Sequence, residues 1–195
     1  MIMSNQLTGG DNLVLIGFAS CGKTTIGQRV AARLNLDFCD LDRNIEARFL
    51  ETQGRALSCR QIYTTYGKEC FRDLESESLL CLMANRIVLA TGGGAPLLVR
   101  NQSRLKALGL IIYLHAEPDA LVDRMQTKGL PAYLWDDPSG KNFLDCWCQR
   151  HEIYTALANG IIATTGKDID TITAEAVTYY YEQHNRNIIQ SQHVR

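Results

Sequence analysis

Residues 17–24 read Gly-Phe-Ala-Ser-Cys-Gly-Lys-Thr and match the pattern G-x-x-x-x-G-K-[ST]. They follow a short apolar run at 12–16 and precede a segment in which Ile26, Val30 and Leu34 recur at helical spacing. Between a buried strand and a helix, this pattern binds phosphate, because the glycines let successive N–H groups point inward and the helix adds its positive end. The stretch therefore predicts a nucleoside triphosphate site.

Two side chains of this phosphate-binding loop carry the chemistry that the pattern needs. Lys23 is expected to bridge the β- and γ-phosphates, and the Thr24 hydroxyl is expected to ligate Mg²⁺. The other residues predicted at the nucleotide within and beside the loop are Gly17, Ser20, Cys21, Gly22 and Thr25.

Strand and helix patterns alternate along the rest of the chain. Beyond the first strand, short apolar runs recur at 36–39, 87–91, 110–114 and 160–164, and helical spacing follows each of them. Such alternation predicts an α/β fold, in which a five-stranded parallel sheet carries helices on both faces. With the phosphate-binding loop after the first strand, this is a three-layer P-loop NTPase fold.

One internal segment departs from the alternation. Residues 128–141 contain two glycines, two prolines and an acidic pair, which are loop signals. A loop of this length in a compact domain is usually a lid or a binding loop, and we expect a lid. The domain is predicted to span 12–184, with a flexible N-terminal tail at 1–11 and a C-terminal tail at 185–195.

Composition and charge exclude several classes of function. The chain has 195 residues with 20 basic and 21 acidic side chains, so it has no general positive field for nucleic acid or anionic membrane. The longest apolar runs are too short to cross a bilayer. The polar first residues predict no signal peptide, and the seven cysteines, an odd number, favour free thiols in a reducing compartment. We expect a cytoplasmic monomer that binds neither nucleic acid nor membrane.

Two competing sites are disfavoured by the residues themselves. GTPases usually carry an N/T-K-x-D motif after a later strand, whereas residues 113–117 here read Tyr-Leu-His-Ala-Glu. Cys146, Cys148 and His151 suggest zinc, but their spacing on a predicted helix puts them on different faces and no fourth ligand is evident. A packed helix with free thiols is the simpler interpretation.

Four further motifs follow the phosphate-binding loop along the chain. They are the pair Asp40-x-Asp42 after the second strand, Phe71-Arg72 in a helix, a triple glycine at 92–94 after the third strand, and Arg150 in the helix after the lid. In this order, they resemble the motifs of shikimate kinases. The resemblance covers about residues 13–181. It implies the transfer of the γ-phosphate of ATP, with Mg²⁺, to a hydroxyl of shikimate, which gives shikimate 3-phosphate in the biosynthesis of chorismate and aromatic amino acids.

The resemblance also implies a role for each matched residue. Arg72 and Arg150 would hold the acceptor carboxylate, for which the planar guanidinium fork is well suited. Asp42 would bind the hydroxyls and take the proton of the attacking one, so that Lys23, Asp42 and Asp40 form the expected catalytic set. The remaining expectations are Asp40 near Mg²⁺ through water, close backbone approach to the acceptor at Gly92, Gly93 and Gly94, and Arg124 at the nucleotide.

The lid departs from the family pattern. Shikimate kinases usually carry an arginine before the lid proline, whereas Leu130 precedes Pro131 here. Leucine cannot stabilise charge on a transferring phosphoryl group. An active shikimate kinase with a rearranged lid is the favoured hypothesis. The alternatives are a kinase for another hydroxy acid or sugar acid such as gluconate, and a non-catalytic relative that binds nucleotide as a regulatory module.

Overall fold

The structure is a computed structural model that describes residues 11–83, 85–128 and 141–192, with side chains at 11–83, 85–126 and 143–186. Residues 129–140 of the predicted lid, including Leu130, and most of the predicted N-terminal tail lie outside the described residues. Within the described part, no helix is both long enough and apolar enough to cross a membrane.

Five parallel strands form one sheet in the order β2-β3-β1-β4-β5. The strands are β1 (Leu13–Ile16), β2 (Asp37–Asp40), β3 (Ile87–Ala90), β4 (Leu110–His115) and β5 (Gly160–Ala163). The predicted five-stranded parallel sheet is confirmed, and each predicted strand lies within two residues of its observed position.

Helices cover both faces of the central sheet. Successive side chains of a strand point to opposite faces, and all four residues of β1 are fully buried, so both faces must be covered. The helices of the described residues are α1 (Lys23–Leu34), α2 (Leu41–Gln53), α3 (Cys59–Cys81), α4 (Val99–Leu108), α5 (Pro118–Lys128), α6 (Lys141–Leu157) and α7 (Ile169–Gln192), with a short 3₁₀ turn at Ala95–Leu97.

Local sequence explains where α3 begins and where it bends. Ser58 caps the helix in a reciprocal capping box with Gln61, which satisfies two backbone donors at the helix start. Gly67 has φ 86° and ψ 169°, a conformation that interrupts the helix and that glycine adopts readily. Local sequence therefore accounts for both the start of α3 and its bend.

The last helix is longer than its sequence pattern predicted. The predicted domain ended at residue 184 and was followed by a tail, but α7 continues to Gln192. Residues 185–192 contain neither glycine nor proline, so the sequence has no signal that would end the helix at His184. Part of the predicted C-terminal tail is thus helical.

The strand order determines which loops become neighbours. β3 lies between β2 and β1, and all three strands run in the same direction, so the segments that follow them meet at one edge of the sheet. Those segments are the acidic pair after β2, the triple glycine after β3 and the phosphate-binding loop after β1. In open α/β sheets, ligands bind at this carboxyl edge.

Candidate active site

The phosphate-binding loop has the backbone shape that its glycines predicted. Gly17, Ser20 and Gly22 have positive φ angles of 146°, 63° and 105°, and Gly22 is the N-cap of α1. A Cβ atom on Gly17 would lie 2.6 Å from the carbonyl oxygen of Leu114 and 2.8 Å from Sγ of Cys21, so this position has room for glycine only. The loop is a concave backbone nest at a helix start, which fits a phosphate group.

Lys23 lies inside the curl of this loop. Its side chain is buried, and Nζ donates hydrogen bonds to the carbonyl oxygens of Gly17, at 2.9 Å, and Phe18, at 2.7 Å. The Sγ atom of Cys21, which is also buried, lies 3.7 Å from the same Nζ. Two backbone carbonyls of the loop therefore hold the positive charge of Lys23 within the loop.

The two predicted Mg²⁺ residues contact each other. The hydroxyl of Thr24 donates a hydrogen bond of 2.9 Å to Oδ2 of Asp40. The other oxygen of Asp40 accepts a hydrogen bond of 3.1 Å from the backbone N–H of Asp42 and so caps α2. A hydroxyl and a carboxylate are oxygen ligands of the kind that Mg²⁺ prefers, so the pair fits the ion. Thr25, next along α1, is exposed.

A cavity of about 200 Å³ opens beside the loop and is large enough for a small metabolite. Ala19 of the phosphate-binding loop forms part of its wall, so the cavity reaches the nucleotide side. Asp42, Arg72 and the triple glycine, which the sequence predicted as acceptor-binding residues, all line it. The lining residues among those that the structure describes are Ala19, Asp42, Cys59, Arg60, Tyr63, Phe71, Arg72, Glu75, Gly92, Gly93 and Gly94.

The triple glycine leaves room for the side chains of Asp42 and Arg72 beside the turn that follows β3. A Cβ atom on Gly92 would lie 2.6 Å from Oδ1 of Asp42, and one on Gly94 would overlap the guanidinium of Arg72. Tyr154, which is fully buried on α6, donates a hydrogen bond of 2.5 Å to the carbonyl oxygen of Gly93. The positions of the Asp42 and Arg72 side chains therefore favour glycine at 92 and at 94.

The two predicted carboxylate-binding arginines occupy different environments. Arg72 lines the cavity and forms an ion pair with Glu75, whose side chain is only 1% exposed. Arg150 is buried, with Cζ 4.9 Å from the ring centroid of Phe18, and it is not one of the lining residues. Burial raises the pKa of Glu75, while Arg72 and Arg150 act in the opposite direction, which places Arg150 within electrostatic reach of the cavity wall.

Asp42 is a carboxyl group of the cavity whose pKa is raised well above its ordinary value. Burial, followed by the carboxylate of Asp40, raises the pKa of Asp42 from 3.8 to about 6. Lys23 and Arg72 lower it, but they offset only part of the rise. A carboxylate with this pKa is still ionised at neutral pH and is a better proton acceptor than an ordinary aspartate.

Three lining residues, Cys59, Arg60 and Tyr63, were not assigned a role from the sequence. They lie on the first turns of α3, before the bend at Gly67. The Sγ atom of Cys59 donates to the backbone carbonyl of Asp42 at 3.2 Å, and burial and then the charge of Asp42 raise the pKa of this thiol. The glycine at 67 is the one sequence signal that could have indicated their position.

Arg124 and His151 have partners outside the cavity. Arg124 on α5 contacts Thr164 at the carboxyl end of β5, with 3.3 Å from Nη1 to Oγ1 and 3.2 Å from Nη2 to the backbone oxygen. His151 stacks parallel to Trp147 with ring centroids 4.9 Å apart, and its Nδ1 lies 3.2 Å from the hydroxyl of Tyr113. Among the residues that the structure describes, no three metal-binding side chains come together.

Comparison with known proteins identifies relatives along nearly the whole chain. The family model described as shikimate kinase matches residues 19–181. A shikimate kinase of Symbiobacterium thermophilum is 34% identical over 179 residues, which are 90% of this chain and 99% of that protein. A shikimate kinase of Geobacter metallireducens is 32% identical over 169 residues, 86% of this chain and 90% of that protein.

Solved structures agree with these relatives. The shikimate kinase from Acinetobacter baumannii in complex with shikimate has a TM-score of 0.73 and 26% identity, and the match covers 94% of this chain and 95% of that chain. A gluconokinase from Sinorhizobium meliloti has a TM-score of 0.59 at 16% identity and shares the fold alone. Since the family model spans most of the sequence and several relatives exceed 30% identity over almost their full length, the chain belongs to the shikimate kinase family.

Proposed function

We propose that the protein transfers the γ-phosphate of ATP to a hydroxyl of shikimate and forms shikimate 3-phosphate. The observation that carries this proposal is the shared cavity, in which Asp42 and Arg72 face a wall that includes Ala19 of the phosphate-binding loop. A base, a carboxylate-binding cation and a phosphate nest are the three parts that such a transfer needs. The bound shikimate in the Acinetobacter baumannii relative supports this choice of acceptor.

The phosphate-binding loop would hold ATP with its backbone N–H groups. Lys23 would exchange its bonds to the carbonyls of Gly17 and Phe18 for bonds to phosphate oxygens. Mg²⁺, held near Thr24 and Asp40, would offset negative charge on the phosphates. The other residues that we propose at the nucleotide are Gly17, Ser20, Cys21, Gly22, Thr25 and Arg124.

The acceptor carboxylate would bind to arginine. Arg72 already has its guanidinium oriented by Glu75, so little side-chain entropy remains to be lost when an anion binds. Arg150 would reach the same carboxylate from α6, the helix that Tyr154 ties to Gly93. The small cavity and the side-chain-free turn at Gly92, Gly93 and Gly94 would admit a ring with hydroxyl groups and little more.

Asp42 would accept the proton of the attacking hydroxyl. General base catalysis of this kind contributes about 10²–10⁴ in rate. Asp40 would keep this carboxylate in place, because its oxygens bind both Thr24 and the backbone N–H of Asp42. We expect the enzyme to act as a cytoplasmic monomer in the biosynthesis of aromatic amino acids.

One observation favours a different function. Leu130 stands where the family usually has an arginine, so a relative that binds nucleotide without transferring phosphate is the second candidate. Lys23, Thr24 and Asp42 argue against it, since a protein that only binds nucleotide has little need of a base beside the acceptor cavity. A gluconate kinase has less support, because the likeness to the gluconokinase extends to the fold alone.

The test is an ADP-release assay with ATP, Mg²⁺ and, in turn, shikimate, quinate and gluconate. We expect release that depends on shikimate, with shikimate 3-phosphate identified by mass spectrometry. Lys23→Ala should lower kcat by at least about 10³, because the lysine acts on the transferred phosphate. ATP binding without turnover of any acceptor would contradict the proposal and favour the non-catalytic candidate, and turnover of gluconate alone would reassign the substrate.

A further inference from the structure

Arg60 brings a second guanidinium group to the acceptor cavity. Arg60 lines the cavity together with Arg72, although twelve positions separate them on α3. In a straight helix, their Cα atoms would lie about 18 Å apart, which is too far for both to line one small cavity. The bend at Gly67 must therefore fold the first turns of α3 back towards the second half of the helix.

Ring contacts across the bend confirm this folded-back arrangement. The rings of Tyr63 and Phe71, one on each side of Gly67, meet edge to face with centroids 5.8 Å apart. Along a straight helix, residues eight positions apart would be separated by about 12 Å. The bend thus makes the two halves of α3 into two walls of the same cavity, one with Arg60 and one with Arg72.

Hydrogen bonds fix the first turn of α3 to α2, the helix that carries Asp42. Cys59, next to Arg60, binds the carbonyl of Asp42 through Sγ, and its backbone N–H donates to Oε1 of Glu46 at 2.8 Å. The capping box at Ser58 holds the same turn from the other side. The backbone of Arg60 consequently has a fixed position relative to Asp42, while its side chain is exposed to solvent.

The charges of the lining residues indicate what this second guanidinium does. Glu75 compensates the charge of Arg72 in a buried ion pair, which leaves Asp42 to repel an anionic acceptor. Among the described lining residues, Arg60 is the other cation, and it brings the sum of their charges to zero. An arginine in the first turn of a helix opposes the helix dipole, and such a local conflict is typical of functional positions.

We infer that Arg60 is an acceptor-binding residue that contacts the carboxylate of the substrate and makes the cavity selective for anionic acceptors. This inference rests on the proposed function, because it assigns Arg60 to the same acceptor. It differs from a merely structural role of Arg60 in that the contribution of Arg60 must disappear when the acceptor has no carboxylate charge.

The experiment combines a change in the protein with a change in the ligand. Shikimate and its methyl ester are titrated calorimetrically into protein saturated with Mg²⁺ and ADP, which needs no turnover. Arg60→Ala should weaken shikimate binding about tenfold, as expected for a partly solvated arginine–carboxylate contact, and should leave the Kd of the ester within about twofold. Arg60→Lys should recover part of the loss, because it restores the charge but not the fork.

The matched control is Arg55→Ala, which removes the same charge from an exposed residue just before α3 that does not line the cavity. It should leave both Kd values within about twofold of the wild type. An Arg60→Ala protein that binds shikimate as tightly as the wild type, or that loses equal affinity for the ester, overturns the inference. Wild-type protein that binds shikimate without turnover refutes the proposed function alone, and failure of the wild type to bind shikimate overturns both.

Discussion

Replacement of Asp42 by asparagine should stabilise the folded protein while it removes most of the activity. Burial and the neighbouring carboxylate of Asp40 raise the pKa of Asp42 from 3.8 to about 6. A shift of about two pH units corresponds to roughly 3 kcal/mol by which the ionised carboxylate destabilises the folded state. Asparagine has nearly the same shape and carries no charge, so this cost is absent in the variant.

The sign of the pH dependence follows from the direction of the shift. Because the folded state binds the Asp42 proton more tightly than the unfolded state, the stabilisation from that proton is complete below about pH 4 and is lost as the pH rises through about 6. The advantage of the asparagine variant in the free energy of unfolding should therefore be up to about 3 kcal/mol near pH 8 and only about 1 kcal/mol near pH 4.5.

Urea unfolding of both proteins at the two pH values measures this difference. Near pH 8, the midpoint of the variant should be higher by about 1–2 M. Asp123→Asn, the same change at an exposed position of α5, is the control and should shift the midpoint little at either pH. Equal or lower stability of Asp42→Asn near pH 8 would refute the argument that the ionised carboxylate is held at a cost.

Activity provides the second half of this test. The value of kcat for Asp42→Asn should fall by about 10²–10⁴, and kcat/KM of the wild type should decrease on the acid side with an apparent pKa near 6. A variant that is more stable and inactive shows a functional group maintained at the expense of stability. A variant that is more stable and fully active would show that the charge of Asp42 is not needed for catalysis. The assignment of Asp42 as the base would then be wrong.

The remaining predictions concern the acceptor turn and the lid. Gly94→Ala places a methyl group where the Arg72 guanidinium lies. In steady-state assays, the KM for shikimate should therefore rise at least about tenfold, while the KM for ATP stays unchanged. An unchanged KM for shikimate would show that the guanidinium tolerates displacement. Leu130→Arg restores the arginine that the family usually carries in the lid, so kcat at saturating substrates should rise by about tenfold or more. An unchanged kcat would show that the lid leucine does not limit phosphate transfer.

Much of the fold could be predicted from local sequence. The runs at 12–16, 87–91 and 110–114 are apolar without alternation because both faces of the central strands are buried, and the structure buries them throughout. The order of the strands could not be predicted in the same way. Alternation of strand and helix specifies parallel pairing, but whether β3 lies beside β1 or at an edge depends on packing between distant segments.

The residues of the candidate site could likewise be predicted only in part from local sequence. Residues at or just after the loops that follow the strands, such as Lys23, Asp42 and the triple glycine, could be placed together because the carboxyl ends of parallel strands share one edge. Arg60 and Tyr63 could not, since their position depends on the direction that α3 takes after Gly67. Arg150 illustrates the same limit: its helix follows the lid, and it lies next to Phe18 rather than in the cavity wall.

Asp40 connects the nucleotide and acceptor halves of the proposed site. Its Cα is paired with that of Ala90 in the β2–β3 ladder, so the acidic turn begins at the same level as the glycine turn that follows β3. From this position, one carboxylate oxygen reaches Thr24 on the helix that follows the phosphate-binding loop, and the other holds the start of the helix that carries Asp42. A displacement of the phosphate-binding helix would thus be transmitted through two hydrogen bonds to the proposed base. In the proposed transfer, the pairing of β2 with β3 and these two hydrogen bonds would together set the distance between the transferred phosphate and its acceptor, which must stay close to 3–3.5 Å for transfer to be efficient.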